Sequence, residues 1–240
     1  MKLEGVLFLA GYTSRSKSYA QAMYRDGLIP DHIFLYGVPA AKLVGAGNQN
    51  VDITRDDNLF MPNLSVDLAD TVNDMGSGIT ILDECDVNSA ELSRKLSETS
   101  PELVIYSGYG GQIVPKALCD KYMFLHMHSG LLPQYRGSTT IYYSILLEKG
   151  CGVTGILLNE GIDSGEIVSQ RCYPLPPKGV DIDFQYDNAI RADLLTKTLA
   201  EYCANNSGFA GIKNRVEEGD DYYVIHPVLK NIAIELLKSN

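Results

Sequence analysis

An open α/β fold, a mostly parallel Rossmann-like sheet flanked by helices, is predicted by three observations on this chain. Short apolar runs that suit buried strands recur at residues 5–10, 32–36, 79–82, 103–106 and 123–126. Stretches with helical spacing of apolar residues alternate with them, and Gly or Pro punctuates the joins. Strands alternating with helices are the mark of a sheet whose parallel neighbours are joined by helical crossovers.

Each element has its own reason. Residues 5–10, Gly-Val-Leu-Phe-Leu-Ala, are apolar throughout, as a strand covered on both faces must be. Residues 13–17 read as a polar loop, and 19–27 as a helix closed by Gly27. After the strand at 32–36, residues 38–63 are irregular and rich in Gly, Asn and Asp, long for a connection. A helix at 66–74 precedes the strand at 79–82. Leu92 and Leu96 give residues 89–96 one apolar face. Residues 115–119 make a short helix begun by Pro115, and 140–148 a helix whose end Gly150 marks. Residues 153–158 and 167–173 suit two antiparallel strands. Pro174, Pro176 and Pro177 break the pattern before a helix at 187–203, with apolar residues at 190, 194, 195 and 199. Residues 222–237 read as a strand and a short helix around His226 and Pro227. One domain over residues 1–205, with 206–240 packed on it as an extension, follows from this order.

Composition narrows the function. At 240 residues, 45% hydrophobic and 21% charged, the chain is an ordinary globule and not a disordered one. Its formal charge of −10 opposes nucleic-acid binding, which relies on Lys and Arg displacing counterions. Five scattered cysteines without a Cys-x-x-Cys pair suit reduced thiols and not a disulfide framework. Neither a signal peptide nor a membrane-spanning stretch is read from the sequence, so a cytoplasmic location is expected, and a homo-oligomer is left open.

The chemistry concentrates after the strand at 123–126. His126 and His128 stand two apart, which on extended backbone turns them to one face. From His128 to Asp163 the chain is long enough for a helix and a returning strand, so the carboxylate can come back beside the imidazole. Such a pair suits general acid–base work. Alone, Gly161-Ile162-Asp163-Ser164-Gly165 is also good turn chemistry. A metal site would need further ligands; the other histidines, His32 and His226, lie in no ligand-like motif, so no metal is expected. Ser14, Arg15 and Lys17 sit between the first strand and first helix, where an anion or an ordinary helix cap would fit equally. Tyr106 to Gln112 carry three glycines after a buried strand, either as a tight turn or as backbone offered to a ligand.

Together, His128, Leu131-Leu132-Pro133, Tyr135-Arg136-Gly137, Gly152-Val153-Thr154-Gly155 and Gly161-Ile162-Asp163-Ser164-Gly165 resemble the core of the folate-dependent formyltransferases in order and spacing. The resemblance implies that family's fold and formyl transfer from 10-formyltetrahydrofolate to a primary amine. His128 would be the acid–base group, and Asp163 would hold its charge and orientation. Gly111, Gln112, Ile113, Ser138 and Asn159, Glu160, Gly161, Ile162 and Asp163 would face the folate. Tyr135 and Arg136 would join Ser14, Arg15 and Lys17 on the acceptor.

An amino sugar on a nucleotide carrier is the expected acceptor, because no tRNA-binding second domain is expected here and the 130–137 loop looks like the sugar and tRNA branches. Methionyl-tRNA, glycinamide ribonucleotide, hydrolysis of formyltetrahydrofolate and a non-catalytic folate or nucleotide-sugar module are the alternatives. The last arises from one departure. Where the family has Asn, this chain has His126. A neutral imidazole donates one hydrogen bond to an oxyanion and an imidazolium a stronger one, so the Asn's role can pass to it.

Overall fold

The computed structural model describes residues 1–39 and 59–238. The irregular stretch expected at 38–63 falls mostly outside them. The five parallel strands expected from the apolar runs are present: β1 (Lys2–Gly11), β2 (Ile29–Tyr36), β3 (Gly78–Leu82), β4 (Leu103–Ser107) and β5 (Met123–His128). After β5 come β6 (Tyr135–Gly137), β7 (Cys151–Leu157), β8 (Glu166–Tyr173) and β9 (Asp220–Tyr222). The large sheet has seven strands in the order β3-β2-β1-β4-β5-β7-β8. Strands β1 to β5 pair in parallel, whereas β7 runs antiparallel to both β5 and β8.

This order creates a switch point between β1 and β4, where the chain departs to opposite sides. In open α/β sheets ligands bind outside the carboxyl ends of the strands at such a point. The two sides are joined there by Ser16, whose buried hydroxyl lies 3.0 Å from the Ser107 carbonyl oxygen.

Helices α1 (Ser14–Arg25), α2 (Leu68–Met75), α3 (Ala90–Thr99), α4 (Lys116–Cys119), α5 (Thr140–Glu148), α6 (Asp187–Ala204) and α7 (Pro227–Lys238) cover the faces. Alternation along β5 divides its side chains: Leu125 and Met127 enter the larger core, and Phe124 the smaller one on the opposite face. His126 and His128 share the parity of Phe124, which turns both toward one side of the strand end.

Three expectations need correction. Residues 13–17 are no loop: α1 begins at Ser14, and Thr13 caps it by accepting from the Ser16 amide at 3.1 Å. Capping residues compete with helix propensity in sequence, which hid the first turn. Residues 135–137 are not loop either. They form β6, paired in parallel with β9, a contact between segments far apart in the chain. Helix α5 ends with Lys149 in the left-handed region (φ 53°), one residue ahead of the glycine expected to mark it.

Gly137 shows why β6 takes this sequence. Its φ of 102° is open to glycine, and a Cβ there would strike the Tyr222 carbonyl on β9. Gly137→Ala is expected to cost more than about 1 kcal/mol and to loosen the β6–β9 pair. Urea unfolding of wild type and variant measures it; an unchanged midpoint would show that the pair contributes nothing.

Candidate active site

The chain reaches the site through β5. Its last residue, His128, is buried, and its Nε2 lies 2.6 Å from the Tyr135 carbonyl oxygen at the start of β6. A carbonyl only accepts, so Nε2 carries the hydrogen. The other nitrogen, Nδ1, faces Asp163 Oδ1 at 3.3 Å, with the two side chains 5% and 12% exposed. The β7–β8 turn supplies Asp163, as its spacing from His128 led us to expect.

Asp163 is held at several points. Its Oδ2 accepts from the Gly137 amide at 2.9 Å, and its carbonyl accepts from Asn214 Nδ2 at 2.9 Å. Its backbone is left-handed (φ 47°), a region that Asp tolerates better than most residues. Burial alone pushes this carboxyl up. The hydrogen bond from His128, the charges of His128 and His126 and the Gly137 amide outweigh it and bring the pKa down to about 2. Asp163 is therefore a carboxylate at neutral pH.

His126 sits beside this pair. Its Nδ1 is buried without a hydrogen-bond partner among the described residues, and its ring lies 6.1 Å from that of Tyr106. Burial, then the charges of Arg15 and Arg191, hold its pKa well below the ordinary value of 6.5, against the opposing pull of Asp163. Of the two forms considered from sequence, the neutral imidazole is the one this environment favours.

Two arginines form the cationic wall. Arg15 Nε lies 3.4 Å from Ser107 Oγ, and its NH2 donates to the Gly108 carbonyl. Arg191 donates to the Met127 carbonyl at 3.0 Å and pairs with Asp187 at 2.9 Å. Burial, then the Arg191 charge, lower the Arg15 pKa. Burial opposes the Arg191 charge as well, but Asp187 leads the groups that keep its pKa above the ordinary value. Arg191 escaped the sequence reading. An Asp and an Arg four apart on a helix usually mark a solvated face, and nothing local says that α6 buries both.

The remaining expected residues divide. Gly111, Gln112, Ile113 and Glu160 line one open groove of about 610 Å³, together with Pro115 and Lys116. Lys116 bridges its two sides through a 3.2 Å contact with Glu160. Gln112 is tied to the Cys85 carbonyl at 2.7 Å and accepts from the Tyr36 hydroxyl at 3.0 Å. His126, His128 and Asp163 are not in the lining, but the 159–163 loop joins groove and pair. Asn159 tightens that loop by accepting from the Gly161 amide and the Ser164 hydroxyl. Ile162 is exposed on it.

Ser138 is drawn toward β9, its amide donating to the Tyr222 carbonyl at 2.8 Å. Ser14, Arg15 and Lys17 are not brought to one point. Ser14 accepts from Asn188 and Arg15 turns inward, while Lys17 reaches the Leu64 carbonyl and Asp67. Tyr135 is buried and offers its carbonyl to His128, while Arg136 pairs with Asp221 at 2.9 Å.

Residues 62–183 match the formyl transferase family model, which covers the β5 histidines and the Asp163 turn. The chain belongs to this family. A methionyl-tRNA formyltransferase of Citrifermentans bemidjiense is 34% identical over 129 residues, which cover 51% of this chain and 39% of that relative. The chain thus spans well under half the length of that curated relative. Among solved structures, a sugar N-formyltransferase from Shewanella sp. superposes with a TM-score of 0.57 at 20% identity, over 95% of this chain and 86% of that one. A 4-N formyltransferase from Francisella tularensis gives 0.59 at 17% identity, with the same coverage. These similarities show the family fold, with its mostly parallel sheet. Among the described residues no helix is long and apolar enough to cross a membrane.

The state of His126 has a consequence for stability. Its folded pKa lies below the ordinary 6.5, so below that pH the unfolded chain binds a proton that the folded chain refuses. Wild type should therefore lose stability relative to His126→Asn as the pH falls below 6.5. Urea midpoints of both proteins from pH 7.5 to 5 check this; parallel curves would mean that His126 charges freely in the fold.

Proposed function

We propose that the protein transfers a formyl group from 10-formyltetrahydrofolate to a primary amine. The observation that carries this reading is the buried His128–Asp163 contact of 3.3 Å at the end of β5, within the matched family region. The groove at Gly111, Gln112, Ile113 and Glu160 would take the folate, and its glycines leave backbone open to the ligand.

The free amine attacks the formyl carbon, and the developing oxyanion needs a donor. Neutral His126 supplies one hydrogen bond in place of the family's Asn amide. His128 passes a proton to the departing folate nitrogen while Asp163 holds its charge and orientation. In this structure Nε2 is engaged by the Tyr135 carbonyl, so proton delivery from it requires that bond to give way as substrate enters.

For the acceptor we propose an amino sugar on a nucleotide carrier. The net charge of −10 argues against tRNA, and the inward-turned Arg15 beside the N-terminus of α1 suits an anionic part of a small substrate. A cytoplasmic location goes with these substrates.

Mass spectrometry of nucleotide-linked amino sugars incubated with 10-formyltetrahydrofolate tests the reading. A formylated amine supports it, free formate without formylated amine indicates a hydrolase, and binding without turnover indicates a non-catalytic module. His128→Ala and Asp163→Ala should each abolish turnover with the fold intact by circular dichroism; near-wild-type rates in either would remove the acid–base pair.

His126→Asn should retain or raise activity, and His126→Ala should lose roughly 2.7–4 kcal/mol of transition-state stabilisation. A His126→Ala enzyme as fast as wild type would end the oxyanion role. Arg15→Ala should raise the acceptor KM roughly ten- to a hundredfold, as loss of a charged hydrogen bond does, and spare folate binding. Unchanged acceptor kinetics would place the anion elsewhere.

A further inference from the structure

His126 does more than replace an amide. It adds a third metal-capable side chain to a histidine–carboxylate pair. His126, His128 and Asp163 each contribute one ligand atom to a group whose members all lie within 4.8 Å of one another. We propose that these three residues form a binding site for a first-row divalent metal ion, best suited to zinc, with one coordination position left open.

The donor set fits. Two imidazoles and one carboxylate are nitrogen and oxygen ligands of the kind zinc accepts, and three protein ligands with an open position are the pattern of its reactive sites. The outer hydrogen bonds fit as well. Ligating histidines usually donate their second nitrogen to a carbonyl or carboxylate, and ligating carboxylates are themselves hydrogen-bonded. His128 gives Nε2 to the Tyr135 carbonyl at 2.6 Å, and Asp163 gives Oδ2 to the Gly137 amide at 2.9 Å.

What remains, Nδ1 and Oδ1, faces inward at 3.3 Å. That separation is the edge of a tetrahedron with metal bonds of about 2.0–2.1 Å. His126 Nδ1 is buried with no partner, a cost that an ion would remove. The sequence reading expected no metal because only His32 and His226 were left as extra histidines; the third ligand is the carboxylate already assigned to His128.

The charges nearby set limits. Arg15 from α1 and Arg191 from α6 oppose a cation, while Asp163 and the Asp187 carboxylate paired with Arg191 offset them. The open position would therefore favour an oxygen ligand with negative character. The ion and the proton between Nδ1 and Oδ1 occupy the same place, so each excludes the other. The site uses the side chains of the transfer reading but does not require its outcome.

The test uses untagged protein stripped of metal. Titration with zinc chloride by calorimetry should give one ion per chain. Cobalt(II) added alone should develop the visible bands of a low-coordinate nitrogen and oxygen site. His126→Asn, which restores the family's residue, and Asp163→Asn should each weaken zinc by more than about a hundredfold, beyond the 10–100-fold typical of losing an outer hydrogen bond. His126→Cys, which keeps a ligand, should bind.

Absence of both zinc uptake and cobalt bands in wild type would overturn the proposal, whatever the variants do. Equal zinc affinity in wild type and His126→Asn would also overturn it. Formyl transfer is measured separately on zinc-free protein. Transfer without metal binding sinks this inference alone, and metal binding without transfer sinks the functional reading alone.

Discussion

The contact between His128 and Asp163 depends on more of the fold than any other pair. It requires β5 to end where the sheet stops, and it requires β7 and β8 to return antiparallel so that their turn meets that end. Local devices then hold it. Thr154 on β7 donates to the Gly130 carbonyl at 2.7 Å and accepts from the Leu132 amide at 3.0 Å, fastening the loop after β5. Gly137 on β6 fixes the second carboxylate oxygen. A fully satisfied polar network of this kind specifies one arrangement, because each unpaired member would carry its own desolvation cost.

The same network makes His126 conspicuous. Around it the polar groups are engaged, whereas its Nδ1 is sealed from water with no partner. Its neighbours are two arginines whose positive charge discourages it from taking a proton. A neutral imidazole so placed has a hydrogen bond or a lone pair to offer, depending on its tautomer. The oxyanion role uses the first and the metal role the second. The substitution of a single residue in the family pattern thus leaves the fold alone and widens the chemistry that the strand end can support.

The second cluster of functional features is the cationic wall at the switch point. Arg15 is turned inward by the Ser107 and Gly108 segment that follows β4, and Arg191 by the carbonyl of Met127 on β5. Three elements distant in sequence, α1, β4 and α6, therefore meet around His126. Burial of guanidinium groups is tolerated because their donors are taken up by carbonyls, a hydroxyl and Asp187.

Much was legible in the order of residues. Apolar runs revealed β1 to β5, because strands covered on both faces need little else. The β5 histidines and the Asp163 turn were legible through period-two geometry and family resemblance, and the placement of Gly111, Gln112, Ile113 and Glu160 in one groove agrees with that reading. Tertiary structure decided the rest. The pairing of β6 with β9 joins segments whose local sequence looks like loop, since three-residue strands carry too few residues for a period. The burial of Asp187 and Arg191 turned an apparently solvated pair into part of the site. The neutrality of His126 is likewise a property of its surroundings and not of its side chain: desolvation and two remote charges act through space, and a linear sequence records neither.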